Sequence, residues 1–141
     1  MSRGHGNPKL AGELAESAFM TTALTRGFIV SRPFGESAAY DVVVDNRALR
    51  PPDARSRLWR IQVRSVSGRP PFRVTTFHGR AKRPITAADA DFLAVLIVPL
   101  ATWYLIPVRV FSPAMGLWLF PHVPASRGRF EQYREAWRRL T

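Results

Sequence analysis

The stretch from Phe92 to Val108 runs for seventeen residues without a charge, and it restricts the possible folds more than any other part of the chain. Its length approaches that of a membrane span. Pro99 and Pro107 interrupt it, however, Thr102 separates two bulky runs, and Val, Ile, Trp and Tyr share the apolar positions with Leu. That composition reads as two buried strands, FLAVLIV and TWYLIPV, joined at a Pro99-Leu100-Ala101 turn, with no membrane association. Buried strands need a domain to cover them, and 141 residues at 46% hydrophobic content suffice for a single one spanning 1–141.

The remaining elements arrange themselves around that hairpin. Asn7-Pro8 is a helix start, Leu10, Leu14, Ala18 and Phe19 recur at helical spacing, and Gly27 is placed to end a helix over Pro8 to Thr25. A short strand over Phe28–Ser31 follows. Beyond the PFGES turn, Tyr40–Asp45 reads as a strand with Val42 and Val44 on one face and Asp41, Val43 and Asp45 on the other. Leu58–Val66 is a third strand, on which Gln62 and Arg64 point the same way. Phe72–Phe77 is expected to form a fourth, able to act as a hairpin arm, with a basic loop His78–Pro84 after it. Thr86 caps a single turn, and Arg129–Leu140 reads as a closing amphipathic helix with Phe130, Tyr133 and Trp137 on one stripe. The order of helix, strands and helix on a mixed sheet defines an α/β domain.

Charge is concentrated in one segment. Residues 46–84 hold ten arginines and Lys82 against one acid, Asp53, a net +10 of the chain's +11. A genome rich in arginine codons explains why nineteen of 21 bases are arginine, but not why they cluster. A block of this kind predicts a polyanionic partner. Arg69, Arg73, His78, Arg80, Lys82 and Arg83 are the candidate contacts to such a partner, against the ordinary alternative of solvated surface bases. The absence of cysteine excludes disulfides and thiolate metal sites and fits a reducing cytoplasm. The N-terminus has no apolar signal core, and His5 and His122 lack zinc-like spacing.

Phosphodiester cleavage without thiols calls for a divalent cation on hard oxygen ligands. Glu16 on the helix, Asp41 on the second strand and Gln62 on the third could supply them, with Arg64 as a nearby cation. Singly, each has an ordinary explanation. Strand acids are commonly a solvated edge, Glu13 and Glu16 could complement a helix dipole, and alternating polar residues mark a half-exposed sheet.

Taken in order, KLAGELAES, SRPFGESAAYDVVVDN, LWRIQVRS, DFLAVLIVPLATWYLIPV and FEQYREAW resemble the PD-(D/E)XK nuclease superfamily, in particular its branch of group I intron-encoded homing endonucleases. The resemblance extends from about Lys9 to Trp137 and rests on an acid eleven residues before a helix-ending glycine, Tyr-Asp after a glycine turn, and Gln62-Val63-Arg64 on the strand where the family has Gln-x-Lys. It implies a restriction-endonuclease-like core, a mixed central sheet flanked by helices. It further implies a metal-dependent endonuclease on double-stranded DNA using Mg²⁺ or Mn²⁺, assembled as a homo-oligomer, a dimer or tetramer. Glu16 would be the helix acid, Asp41 the principal metal ligand, Gln62 the replacement for the second acid, and the Val63 carbonyl a further ligand. Asp45 would serve structure and Glu13 the surface.

Arg64 departs from the pattern, standing where the family has lysine. Arginine can replace a lysine that acts as a charge but not one that must lose its proton. Three readings follow: an active endonuclease, a DNA-binding protein on the same fold without cleavage, and a basic RNA-binding module. Leu117-Trp118-Leu119-Phe120 and the Phe130/Tyr133/Trp137 stripe are the expected subunit interfaces. Trp59, Trp103, Tyr104, Trp118 and Trp137 are expected in cores or interfaces before base stacking.

Overall fold

Asn7 caps the first helix, α1 (Pro8–Thr25), in the computed structural model, which describes residues 7–141; its side chain accepts from the N–H groups of Lys9 and Leu10 at 3.1 and 3.4 Å. At the other end Phe28 N–H donates to the Ala23 carbonyl and Gly27 N–H to that of Leu24, both at 3.0 Å. These two bonds form a Schellman end, which requires the left-handed φ of +95° that Gly27 adopts. Gly27→Ala is therefore expected to cost about 1–2 kcal/mol in urea unfolding, almost all of it backbone strain. A Cβ there would lie 2.9 Å from Leu49 Cδ2, which is the movable end of a side chain.

Nine strands follow: β1 (Ile29–Ser31), β2 (Val42–Asp45), β3 (Leu58–Val66), β4 (Phe72–Thr75), β5 (Phe77–His78), β6 (Arg83–Pro84), β7 (Phe92–Ile97), β8 (Thr102–Pro107) and β9 (Gly116–Leu119). The central sheet has the order β1-β2-β3-β7-β8. Only β3 and β7 pair in parallel, with Ile61 opposite Phe92; the other pairs are antiparallel, so the sheet is mixed. The uncharged stretch forms β7 and β8, with Ala101 in the left-handed conformation at the turn. Alternate residues serve two cores. Leu93, Val95, Ile97, Tyr104 and Ile106 face one side, and Phe92, Ala94, Trp103 and Leu105 face the side where α1 packs.

Three sequence expectations are corrected. The packing face of α1 is Ala15, Phe19 and Ala23, while Leu10 and Leu14 are exposed. Small residues let the helix lie close to the sheet, and Phe19 fills the remaining space against Trp103 and Trp137, at ring distances of 5.4 and 5.5 Å. Leu14, at 62% exposure, instead lines an apolar cleft with Ala11, Ala18, Leu96 and Val98.

The segment expected as a closing helix consists of short 3₁₀ turns, Glu131–Tyr133 and Trp137–Leu140. A helix would keep Phe130, Tyr133 and Trp137 on one stripe, but the chain instead crosses the free edge of β8. Arg134 bridges Tyr104, and Glu135 N–H donates to the Trp103 carbonyl at 2.7 Å with Glu135 at φ +49°. Phe130 and Tyr133 thus enter one core and Trp137 and Leu140 the other. α1 is consequently the one α-helix among the described residues, and this stripe is no subunit interface.

The third correction concerns the expected fourth strand, which breaks at the buried Thr76. β4 is held by β9 in a separate two-stranded sheet, and the short hairpin after it is β5–β6, whose loop carries Arg80 and Lys82. In β9, Leu117 and Leu119 are buried and only Trp118 projects outward, at 47% exposure. Among the described residues no helix is long and apolar enough to cross a membrane. His5 lies outside the described residues.

Candidate active site

The candidate site begins where β2 leaves β3. Their antiparallel register pairs Val42 with Ile61, and its continuation would set Asp41 opposite Gln62 and Tyr40 opposite Val63. Asp41 N–H still donates to the Ile61 carbonyl at 2.9 Å, but the next ladder bond is replaced by a side chain: Asp41 Oδ2 accepts from Val63 N–H at 2.8 Å. The N–H and C=O of one strand residue point to the same side. The Val63 carbonyl therefore lies on the side of the Asp41 carboxylate.

From the middle of α1, Glu16 reaches the same place. Its carboxyl pKa is raised, first by burial, then by the negative charge of Asp41 and by a hydrogen bond that the two groups could make only if one kept a proton. Arg32 acts in the opposite direction. Glu16 and Asp41 line a polar, half-open cavity of about 240 Å³ together with Arg32, Pro33, Gly35, Glu36, Ala38 and Tyr40. Arg32 and Glu36 were not singled out in the sequence; their signal was their place in the turn immediately before Tyr40-Asp41.

Gln62 is 7% exposed, on the strand face opposite Val63, and does not line this cavity. Arg64 shares its face. The Arg64 guanidinium is largely buried, its Nη2 donates to the Phe77 carbonyl at 3.0 Å, and its Nε is buried without a partner. Burial lowers its pKa, partly offset by the attraction of Asp41. The Arg64 bond also ties the β5–β6 hairpin to β3.

His78 on that hairpin is turned inward. Its Nε2 is buried without a hydrogen-bond partner, 3.7 Å from Asp89 Oδ2, and Asp89 is held by Thr86 N–H at 2.9 Å. The imidazole pKa is held below 6.5, first by burial, with Arg64 and Arg83 adding to the effect against Asp89 and Asp41. A depressed pKa means that the unfolded chain takes up the proton more readily. Stability is then fully present above pH 6.5 and falls as pH drops through the folded-state pKa. The thermal midpoint of His78→Gln should accordingly fall less steeply than that of the parent between about pH 7 and pH 5. Parallel curves would show that His78 does not drive the acid limb.

The basic block divides into two uses. Arg47 donates to the carbonyls of Pro51 and Ala54, Arg60 pairs with Asp91 at 3.1 Å, Arg57 lies over the Trp59 ring at 3.9 Å, and Arg64 is buried. These four secure loops or the site. Arg69, Arg73, Arg80, Lys82 and Arg83 remain exposed, as do Arg50 and Arg55. Asp45 accepts from Arg47 N–H at 2.8 Å and so serves the turn after β2, while Glu13 is exposed.

No three His, Asp or Glu side chains converge as a metal cluster among the described residues. The donors are two carboxylates and, by strand geometry, one carbonyl. That set fits a hard divalent cation such as Mg²⁺ or Mn²⁺, which takes one or two carboxylates and completes its shell with water and phosphate. A cation between Glu16 and Asp41 would also relieve the mutual repulsion that raises the Glu16 pKa.

A five-stranded mixed sheet, a helix carboxylate facing a strand carboxylate, and a cation one strand away describe a nuclease. The chain belongs to the PD-(D/E)XK endonuclease family, whose model matches residues 6–138. Among solved structures it is similar to the bacterial homing endonuclease I-Ssp6803I, at 28% identity and a TM-score of 0.78 over 96% of this chain and 93% of that one. No curated protein matches the sequence significantly.

Proposed function

We propose that the protein is a metal-dependent endonuclease that hydrolyses phosphodiester bonds of double-stranded DNA. The observation that carries this reading is the Glu16–Asp41 pair, two carboxylates pressed together at the point where β2 parts from β3. Asp41, Glu16 and the Val63 carbonyl would hold Mg²⁺ or Mn²⁺; Gln62, expected as a further ligand, lies outside the cavity and is left out of this set. Bound there, the cation supplies charge neutralisation at the phosphate and activation of water.

The chain's own residues do the remaining work. Val63 N–H orients the Asp41 carboxylate, and α1 presents Glu16 to it. Arg64 offers a fixed positive charge to the charge that develops on the phosphate, and as an arginine it holds its proton throughout. Arg69, Arg73, Arg80, Lys82 and Arg83 contact phosphates, and His78 supports the hairpin from inside. Severing both strands requires two sites, which a homodimer or tetramer would supply.

Incubation with supercoiled plasmid in Mg²⁺, Mn²⁺ or Ca²⁺ tests the proposal. Nicking or linearisation is expected with Mg²⁺ or Mn²⁺ and none with EDTA. Arg64 in the lysine position supports a second reading, DNA binding without cleavage. Salt-sensitive duplex binding with no cut in any metal would assign the protein to it.

A further inference from the structure

Phe34 is 104% exposed, so its ring contributes no buried area to the fold. Its place in the chain is the informative part. Arg32 and Pro33 before it, and Gly35 and Glu36 after it, all line the cavity that holds Glu16 and Asp41. The ring therefore stands at the rim of the candidate site, carried on a turn of set shape. Pro33 fixes its own φ, and Gly35 takes φ +76°, which a residue with a side chain rarely adopts.

We propose that Phe34 is a DNA wedge, a ring that stacks on a base beside the scissile phosphate and loosens that step of the duplex. The inference rests on the reading of the chain as an endonuclease of double-stranded DNA. The carboxylates lie in a cavity of only about 240 Å³ beneath the turn, whereas a stacked duplex presents its phosphates on a broad curved surface. Opening one base step lets the backbone bend into such a cavity, and apolar side chains inserted between bases are an established means of producing that bend. An aromatic face stacks on any base, so the device does not depend on the target sequence. Arg32, two residues away, supplies a cation beside the same cavity, and the chain's +11 charge makes DNA the favoured occupant over a second copy.

The test compares the parent, Phe34→Ala and Phe34→Trp on two 40-base-pair duplexes of the same arbitrary sequence, one fully matched and one with a central two-base mismatch. Affinity without metal is read by fluorescence anisotropy, and cleavage is read in Mn²⁺. Phe34→Ala should lose about tenfold or more on the matched duplex and recover to within about threefold on the mismatched one, where the step is already open. Phe34→Trp should follow the parent on both. Equal loss on both duplexes, or no loss on either, overturns the wedge. If the parent binds but cuts neither duplex, the affinity ratios still decide the wedge, and the plasmid assay across metals decides the endonuclease reading. If Phe34→Ala changes only the sedimentation coefficient of the free protein, the ring serves a contact between copies and the wedge is overturned.

Discussion

Asp41→Asn is expected to slow plasmid cleavage by about a thousandfold in Mg²⁺ or Mn²⁺ while leaving the thermal midpoint close to that of the parent. Asparagine keeps an oxygen for Val63 N–H, the bond that holds β2 to β3 at 2.8 Å, so the local structure retains its acceptor. What disappears is the negative charge. A metal's contribution to transition-state stabilisation is of the order of several kcal/mol, and about 4 kcal/mol corresponds to the expected factor. The same change removes one negative charge from the cavity, so metal-free DNA binding should tighten, while the Glu16 pKa, raised first by burial and then by Asp41, moves back toward its ordinary value. Loss of binding together with cleavage would point to a structural role for Asp41. Undiminished cleavage would remove it from the site.

Arg64→Met should reduce cleavage by about a hundredfold or more, the usual cost of removing one preorganised charge from such a site. Unlike most damaging substitutions, it should leave the protein equally stable or more so. Arg64 is largely buried, its Nε has no partner, and no carboxylate lies within ion-pair distance. Replacing a buried charge of this kind by an apolar side chain of similar length is commonly neutral or stabilising, here by about 1–2 kcal/mol against the loss of one bond to Phe77. Guanidinium denaturation and plasmid cleavage together test the pair of effects. A large destabilisation would mean that Arg64 is held for the hairpin and not for the phosphate. Arg64→Lys separates the two readings of the protein. Cleavage within about tenfold of the parent, declining at alkaline pH as the buried lysine loses its proton, fits a charge role. A large gain of activity would mark arginine as the cause of impairment.

The parts of this structure that were legible in the sequence are those governed by local rules. Asn7-Pro8 and Gly27 bound α1 through caps that involve only neighbouring residues, and the uncharged stretch had to become buried strands wherever the sheet lay. Asp41, Gln62, Val63 and Arg64 were put forward on the order of the motifs and the resemblance they carry; the structure sets Asp41 against Val63 and Glu16, and leaves Gln62 outside the cavity that the two carboxylates line. What escaped depends on contacts distant in sequence. The helical stripe of Phe130, Tyr133 and Trp137 is a true periodicity, but Trp103 N–H bonds the Glu135 side chain at 2.8 Å and its carbonyl accepts Glu135 N–H, so the β8 edge takes the chain away from helix. Leu10 and Leu14 have helical spacing, yet the sheet selected the smaller residues beside them. Arg47 and Arg60 count toward the basic block, but charge alone cannot show that they are spent on the carbonyls of nearby loops and, for Arg60, on Asp91.

The segment that crosses β8 also bears on the time course of folding. Its far end closes on the opposite side of the sheet, where the Leu140 carbonyl accepts from Asn46 Nδ2 and Trp59 Nε1 across 94 and 81 positions of sequence. Contacts that distant bring no gain until the strands they bridge are in place, because the cost of closing so long a loop comes first. The clasp therefore docks late in refolding and is the natural first step of opening. Whenever it lifts, the outer edge of β8 and the rings of Trp103 and Phe19 are uncovered together, and an unpaired strand beside apolar rings is a template for another chain. Holding residues 131–141 down keeps one edge of the central sheet from serving as that template.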